Sequence, residues 1–284
     1  VQLGVCVRDL PTRDVVALAR EVEDLGYRQL YLPEGGQVDG EGRLIGRDPY
    51  ASLAAALSAT TTLVGAVGVA QAIFQGMPQL ALKAATLSEL SGGRFHLGVG
   101  VSHRELAARF GVPFPASPLG AVRQSLTELY DWRERLRFGN DFPILVGALG
   151  PKMVALGASA ADGVVLNWLT PEFAARTVRS VREAAGPQHE ARSVLYIRVG
   201  GRAALRPDAV NYALMANYHQ HFVAQGLTDP DAVVAGACID TTDLGAARAA
   251  IDAYADTGLD VLCLYPHGLP AEERSRVLAE LAPR

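Results

Sequence analysis

Short apolar runs alternate along this chain with longer segments whose apolar positions recur every three or four residues. The runs occupy residues 3–7, 29–32, 63–70, 94–99, 143–146, the stretch that follows Gly163, 193–199 and 260–264. They are apolar throughout rather than on alternate positions, so each is predicted to be a strand buried on both faces. The intervening segments read as helices: 13–25, 49–59, 77–90, 119–135, Pro151 to the Asp162-Gly163 stop, 171–185, 207–225, 243–255 and 270–281. Their ends carry matching signals. Gly26 and Gly258 sit where C-caps belong, and Pro151 sits at a first helical position, where its missing N–H costs nothing.

Strand followed by helix, repeated without interruption, predicts parallel pairing. Eight such units predict a single (β/α)8 barrel over 1–284, with insertions after strands 2, 4 and 7 (residues 35–47, 104–118 and 207–240). A doubly wound sheet is the alternative. Its dinucleotide fingerprint is only half present, because Gly98-x-Gly100 is followed by His103 at the third glycine position.

Composition narrows the functions. The chain has 284 residues, is 49% hydrophobic and carries a net charge of −4 with the signs interspersed. No basic stripe invites nucleic acid. No apolar run approaches the ~18 residues of a membrane span, and no signal peptide opens the chain, so a cytoplasmic location is expected. Cys6, Cys238 and Cys263 are scattered, without C-x-x-C spacing, and are expected as reduced thiols, with Cys6 and Cys263 in the core on neighbouring strands. His219 and His221 are two apart on a helix, so their side chains diverge, and no metal is expected.

A barrel of this kind works at the C-terminal ends of its strands. Those ends place Arg8, Glu34, Gln71, Ser102 with His103, the Gly147–Gly150 turn, Asn167 with Trp168, Arg198, and Tyr265 with His267 on one polar ring. Gly147, Ala148, Leu149 and Gly150 form a turn with little side-chain bulk that feeds a helix starting at Pro151-Lys152. Unpaired N–H groups and the positive end of the helix dipole there suit an anion, usually a phosphate, although an ordinary βα turn has the same outline. Glu34 follows a strand and reads either as an acid–base group raised by burial or as an ion-pair partner. His103 reads as a ligand or proton group, or as a helix-start residue bonded to backbone. Arg198 needs a counter-charge or an anion. Trp168 could stack on a planar ligand or pack at the rim.

The segment 88–103, SELSGGRFHLGVGVSH, resembles the central motif of the luciferase-like monooxygenase superfamily, and RDPYASLAAALSATTTLVGAVGVA at 47–70 resembles the segment before it. The stretch 143–168, in which ALGPKM leads into a helix and then ADGV, is similar to the second signature. GVSHRE and NYALMANYHQHF resemble the compact F420-dependent branch. The resemblance implies a TIM barrel that binds the deazaflavin F420, or alternatively FMN, at the strand ends. It implies cofactor contacts at Gly68, Val69, Ala70, Gly100, Ser102, Gly147, Ala148, Leu149, Gly150, Pro151, Lys152 and Asn167, with the phosphate on the Gly147–Lys152 backbone. It also implies a non-prolyl cis peptide near Gly68-Val69 and a homodimer. The substrate, small or peptidyl, is expected to meet Arg8, Gln71, Trp168 and Arg198, with Glu34 and His103 as the catalytic pair. Relatives that oxidise alcohols have a histidine just after strand two, where this chain has Glu34. That departure favours reduction of a C=C, C=N or C=O bond by hydride from the deazaflavin C5. An FMN-dependent monooxygenase is the nearest rival. A non-catalytic flavin-binding protein and a phosphosugar enzyme without redox cofactor are the others.

Overall fold

The computed structural model describes residues 1–35, 41 and 43–284. Nine parallel strands run in chain order: β1 (Gln2–Cys6), β2 (Gln29–Leu32), β3 (Val64–Gln71), β4 (Phe95–Gly100), β5 (Ile144–Gly147), β6 (Gly163–Asn167), β7 (Arg192–Gly200), β8 (Cys238–Asp240) and β9 (Val261–Tyr265). Each of β1 to β7 pairs with the next, β7 also pairs with β9, and β9 pairs with β1. These pairings close the predicted barrel and dispose of the doubly wound alternative.

Helices fill the connections: α1 (Thr12–Asp24), α2 (Pro49–Ser58), α3 (Met77–Ser91), α4 (Arg104–Arg109), α5 (Pro118–Arg135), α6 (Pro151–Ala160) and α7 (Pro171–Ala185). α8 (Arg202–Ala213), α9 (Ala216–Ala224), α10 (Pro230–Ala237), α11 (Leu244–Ala255) and α12 (Ala271–Glu280) complete the chain. Many starts have a chemical cause. The Ser117 and Thr170 hydroxyls accept from the N–H groups of Gly120 and Phe173, and the Asp48, Asp229 and Asp243 carboxylates cap α2, α10 and α11 in the same way. Gly92 ends α3 in the left-handed region, at φ 65°.

Two cores result. The larger lies between strands and helices, with Leu30, Leu97, Ile144, Leu195 and Leu264 facing Leu53, Leu80, Val154 and Val178. The smaller fills the barrel itself with Cys6, Tyr31, Ala66, Leu145, Val165, Tyr196, Cys263 and Tyr265. Cys6 and Cys263 are fully buried free thiols, as expected from strand adjacency.

The insertion after β7 differs from expectation. The helix predicted over 207–225 is two helices, α8 and α9, and the loop predicted up to Asp240 contains α10 and β8. β7 is nine residues long and outruns β6: Tyr196 is its last residue paired with β6, and Arg198, Val199 and Gly200 pair with β8 along the same edge. The short Cys238-Ile239-Asp240 segment thus satisfies an edge that would otherwise be open. Beneath this insertion lies a satellite core of Trp168, Leu205, Ala209, Tyr218, Phe222 and Val233. α4, within the segment after β4, was also not foreseen. The loop expected over 35–47 overlaps residues outside the described ones, 36–40 and 42. No described helix is long and apolar enough to cross a membrane.

Candidate active site

All eight barrel strands end on one cavity of about 680 Å³. Its lining includes Arg8, Glu34, Gly68, Val69, Gln71, Gly100, Ser102, His103, the Gly147–Gly150 turn, Asn167, Arg198 and Tyr265. The ring read from strand ends is therefore brought together. Residues of the insertion, among them Asp208, Tyr212 and Tyr218, close one side.

The β3–β5 wall is organised by Val69. Between Val67 and Ala70 the pairing of β3 with β4 slips, Val67 facing Leu97 and Ala70 facing Val99. This bulge surrounds the Gly68–Val69 peptide, which is cis as the resemblance implied. A bulge re-aims side chains, and the Val69 side chain turns onto β4 and β5. A Cβ on Gly100 would lie 2.7 Å from Val69 Cγ2, one on Gly98 2.8 Å from Val69 Cγ1, and one on Gly147 3.2 Å from both methyls. The Gly98-x-Gly100 pair is thus a packing requirement and not a remnant of a dinucleotide fingerprint. Gly68 is held from the other side: a Cβ there would run into the Tyr196 hydroxyl and come within 2.7 Å of the Tyr31 ring. Tyr196 Oη donates to the Gly68 carbonyl at 3.0 Å.

Gly150 is different. A Cβ there meets nothing within 4 Å, so the rim is open at this point. Gly150 is the N-cap of α6 without any side-chain cap. Ala148 N–H is bonded to Val165 and Met153 N–H to Gly150, while among the described residues no backbone acceptor is found for the N–H groups of Leu149, Gly150 and Lys152. Open space, unpaired donors and the positive helix end make a cradle that fits a phosphate.

Glu34 stands at the end of β2, half-buried. Its Oε2 accepts from the Gln71 N–H at 2.6 Å, and both carboxylate oxygens accept from Gln75 Nε2, at 3.1 and 2.9 Å. Gln71 Nε2 donates to the Glu34 carbonyl at 2.6 Å, and the Ser102 hydroxyl donates to Gln71 Oε1. Burial raises the Glu34 carboxyl above its ordinary pKa despite these bonds. Across the mouth, burial lowers the His103 imidazole, with only Glu105 opposing it. Its Nδ1 is buried without a partner, and its ring lies 5.8 Å from that of Tyr218.

Where β1, β7 and β9 end, charge is concentrated. Arg198, 1% exposed, donates from Nε to Asp208 at 3.0 Å and from Nη1 to Asn167. Arg8 Nη2 reaches Asp208 at 3.4 Å and His267 Nε2 at 2.7 Å. Burial alone would raise the Asp208 carboxyl, but the Arg198 and Arg8 guanidinia outweigh it and hold it below the carboxylate range. Burial, then Arg8, pushes His267 down to about 4, which leaves it neutral and able to accept from Arg8. Among non-glycine residues, positive φ occurs at Asp9 (63°), Ser102 (79°) and Trp168 (56°), just beyond β1, β4 and β6. Such backbone costs on the order of 1–3 kcal/mol each and gathers at working sites.

Four expected contacts do not reach the cavity. Ala70 alternates away from Val69 into the strand–helix core. Pro151 and Lys152 point their side chains outward from the first turn of α6, leaving only the Lys152 N–H near the cradle. Trp168 is fully buried under the insertion, with Arg198 Cζ stacked 3.8 Å from its ring centroid, so it cannot stack on a ligand. Arg198 has the counter-charge it needs in Asp208, a residue sequence reasoning missed because it lies inside a helix of the insertion. Tyr196 was also missed. The two-residue period of β7 would have found it, since Val194, Tyr196 and Arg198 share a face. Among the described residues no group of three or more His, Cys, Asp or Glu could hold a metal ion.

A barrel whose eight strand ends meet a glycine-walled cavity with a phosphate cradle defines a class, and the wider comparison places the chain within it. The chain belongs to the luciferase-like monooxygenase family, whose profile matches residues 6–279. It is 26% identical over 261 residues to 5,10-methylenetetrahydromethanopterin reductase of Methanolobus tindarius, covering 84% of this chain and 76% of that one. Its fold matches an F420-dependent secondary alcohol dehydrogenase in complex with an F420–acetone adduct, with a TM-score of 0.80 at 15% identity over 99% of this chain and 97% of the other. It also matches the FMN-bound oxygenating constituent of 3,6-diketocamphane monooxygenase from Pseudomonas putida, with a TM-score of 0.73 at 15% identity over 99% and 96%.

Proposed function

We propose that this chain is an F420-dependent reductase of a small or peptidyl substrate. The observation that carries the reading is the cradle: N–H groups of Leu149, Gly150 and Lys152 with no backbone acceptor among the described residues, at the rim of the cavity, with open space where a Gly150 side chain would stand. The kinship with a methylenetetrahydromethanopterin reductase supports reduction, and that with the F420-bound dehydrogenase supports the deazaflavin. When bound, reduced F420 supplies hydride. The residues of the chain do the rest. The Leu149, Gly150 and Lys152 amides hold the phosphate. Val69, packed onto Gly100 and Gly147, offers a planar ring an apolar face at the wall of the cavity. The Glu34 carboxyl, fastened by Gln71 and Gln75, holds a proton to higher pH than an exposed glutamate and delivers it to the atom that gains charge as hydride arrives. His103, neutral by burial, positions the substrate by a hydrogen bond from or to Nδ1. We place the homodimer in the same reading; light scattering of the purified chain decides it.

Glu34→Gln keeps the hydrogen-bond frame but cannot release a proton, so turnover falls about 10²- to 10⁴-fold. In the unaltered protein the rate falls as pH rises through the raised Glu34 pKa; in the variant this limb is absent. A pH–rate profile of both checks this, and an unchanged profile removes Glu34 as the acid. The FMN reading rests on the FMN-bound structural neighbour. Titration of the apo-protein with F420 and with FMN separates the two: F420 is expected to bind, and tight FMN binding without F420 binding reverses the assignment.

A further inference from the structure

Behind the cavity wall at the end of β2, a chain of contacts runs from Glu34 back to α3. Gln75 lies in the turn between β3 and α3 and is not part of the cavity lining. Its Nε2 donates to the two Glu34 carboxylate oxygens at 3.1 and 2.9 Å. Its Oε1 accepts from Lys83 Nζ of α3 at 3.2 Å. The Lys83 ammonium also stands 4.7 Å from the centroid of the Tyr50 ring, which steadies it from α2.

A glutamine amide has a donor end and an acceptor end, and its neighbours decide which way it points. An ammonium only donates. Lys83 therefore turns the Gln75 oxygen toward itself and the Gln75 NH2 toward Glu34. Gln71 is fixed in the same manner, its Nε2 donating to the Glu34 carbonyl and its Oε1 accepting from Ser102. The bonds from Gln71 and Gln75 to the Glu34 carboxyl are thus all donated to it. Donors favour the carboxylate over the acid, whereas burial favours the acid. The nearby charges divide: Lys83 favours the carboxylate, and Asp48, the N-cap of α2, opposes it. The Tyr50 phenol is kept neutral by burial. On the cavity side the ionisable groups include Arg8, His103, Glu105, Arg109, Arg198 and Asp208. Without Lys83 the Gln75 amide is free to turn and offer its oxygen, which pairs only with a protonated Glu34. An acid held in that way keeps its proton too firmly to deliver it.

We propose that Lys83 is a positioning residue: through Gln75 it keeps a donor turned onto the Glu34 carboxyl, so that the buried acid can release its proton. The proposal rests on the reading of Glu34 as the acid. Its test follows the Glu34 carboxyl by carbon-13 NMR across pH in the full chain, the resonance being identified by its loss in Glu34→Gln. The pH–rate profile of the F420-loaded enzyme is recorded beside it. Lys83→Met, an unbranched chain without the charge, is expected to raise the Glu34 midpoint by about one pH unit and to carry the falling limb of the rate up with it. Lys83→Arg, which keeps a donor, should restore most of the original midpoint. In a Gln75→Met background no amide remains to turn, and Lys83→Met should move the midpoint by less than about half as much. An unmoved midpoint in Lys83→Met overturns the proposal, even if the denaturant midpoint falls, because Lys83 is then structural alone. An undiminished shift in the Gln75→Met background overturns it as well, because Lys83 then acts as a distant charge. If the NMR midpoint moves as expected and the rate profile does not follow, Glu34 is not the acid, while the hold of Lys83 on its carboxyl stands.

Discussion

The two walls of the cavity are built on opposite principles. From β3 to β5 the wall includes Gly68, Gly100 and Gly147, the last two fitted around Val69. From β7 to β1 it consists of Arg198, Arg8, Tyr265 and, from the insertion, Asp208, all long or charged and largely buried. In the first wall the missing side chains make room for Val69 and Tyr196. The second is held by paired charge, Arg8 and Arg198 against Asp208 and Asp9. The contrast teaches that one cavity can be shaped by close packing on one side and by buried charge on the other.

The largest effect expected on this contrast comes from Asp208→Ala. It strands Arg198, which is 1% exposed, and loosens Arg8 at the same time. Removing one partner of a buried pair costs about 3–5 kcal/mol, read as a lower denaturant midpoint. A loss under about 1 kcal/mol would mean that water already enters the corner.

Next is Gly68→Ala, which attacks the other wall. The new methyl meets the Tyr196 hydroxyl and the Tyr31 ring, both in the closed barrel core. Overpacking of this kind costs about 1–3 kcal/mol, and thermal unfolding measures it.

Gly150→Glu sharpens the comparison without touching either core. Its side chain enters open space, so stability stays within about 0.5 kcal/mol. The carboxylate occupies the phosphate cradle, and F420 affinity falls at least tenfold, measured by fluorescence titration. Unchanged affinity would remove the phosphate from this turn.

The smallest effect is on acid stability. Folded His96 and His267 protonate only at about 4, against 6.5 in an unfolded chain. Between these values the unfolded chain binds more protons, so stability is lost as pH falls from 6.5 toward 4. At pH 5.5 each contributes about 1 kcal/mol of that loss. His96→Gln should flatten the profile of denaturant midpoint against pH over that window.

Legibility followed the range of the interactions. The eight barrel strands, their order and the helices between them outside the insertions after β4 and β7 were readable from local pattern, as were the polar ring and the turn before α6. Trp168 was expected on the ring from its position after β6, but its side chain turns under an insertion whose core no local pattern announced. Ala70 followed strand alternation only after the bulge at Gly68-Val69, which is defined by the register of β3 against β4.

What the chain alone determined is whatever depends on neighbours within a few residues: buried strands, capped helices, a glycine turn with unpaired amides, and a glutamate just past β2. Periodicity and capping act over one or two turns of chain, so they are written in consecutive residues. What only the tertiary structure decided is the pairing of distant groups. Asp208 meets Arg8 across 200 positions, and Arg8 meets His267 across 259. Barrel closure brings β9 back to β1, and it is this closure that turns a list of strand ends into one site.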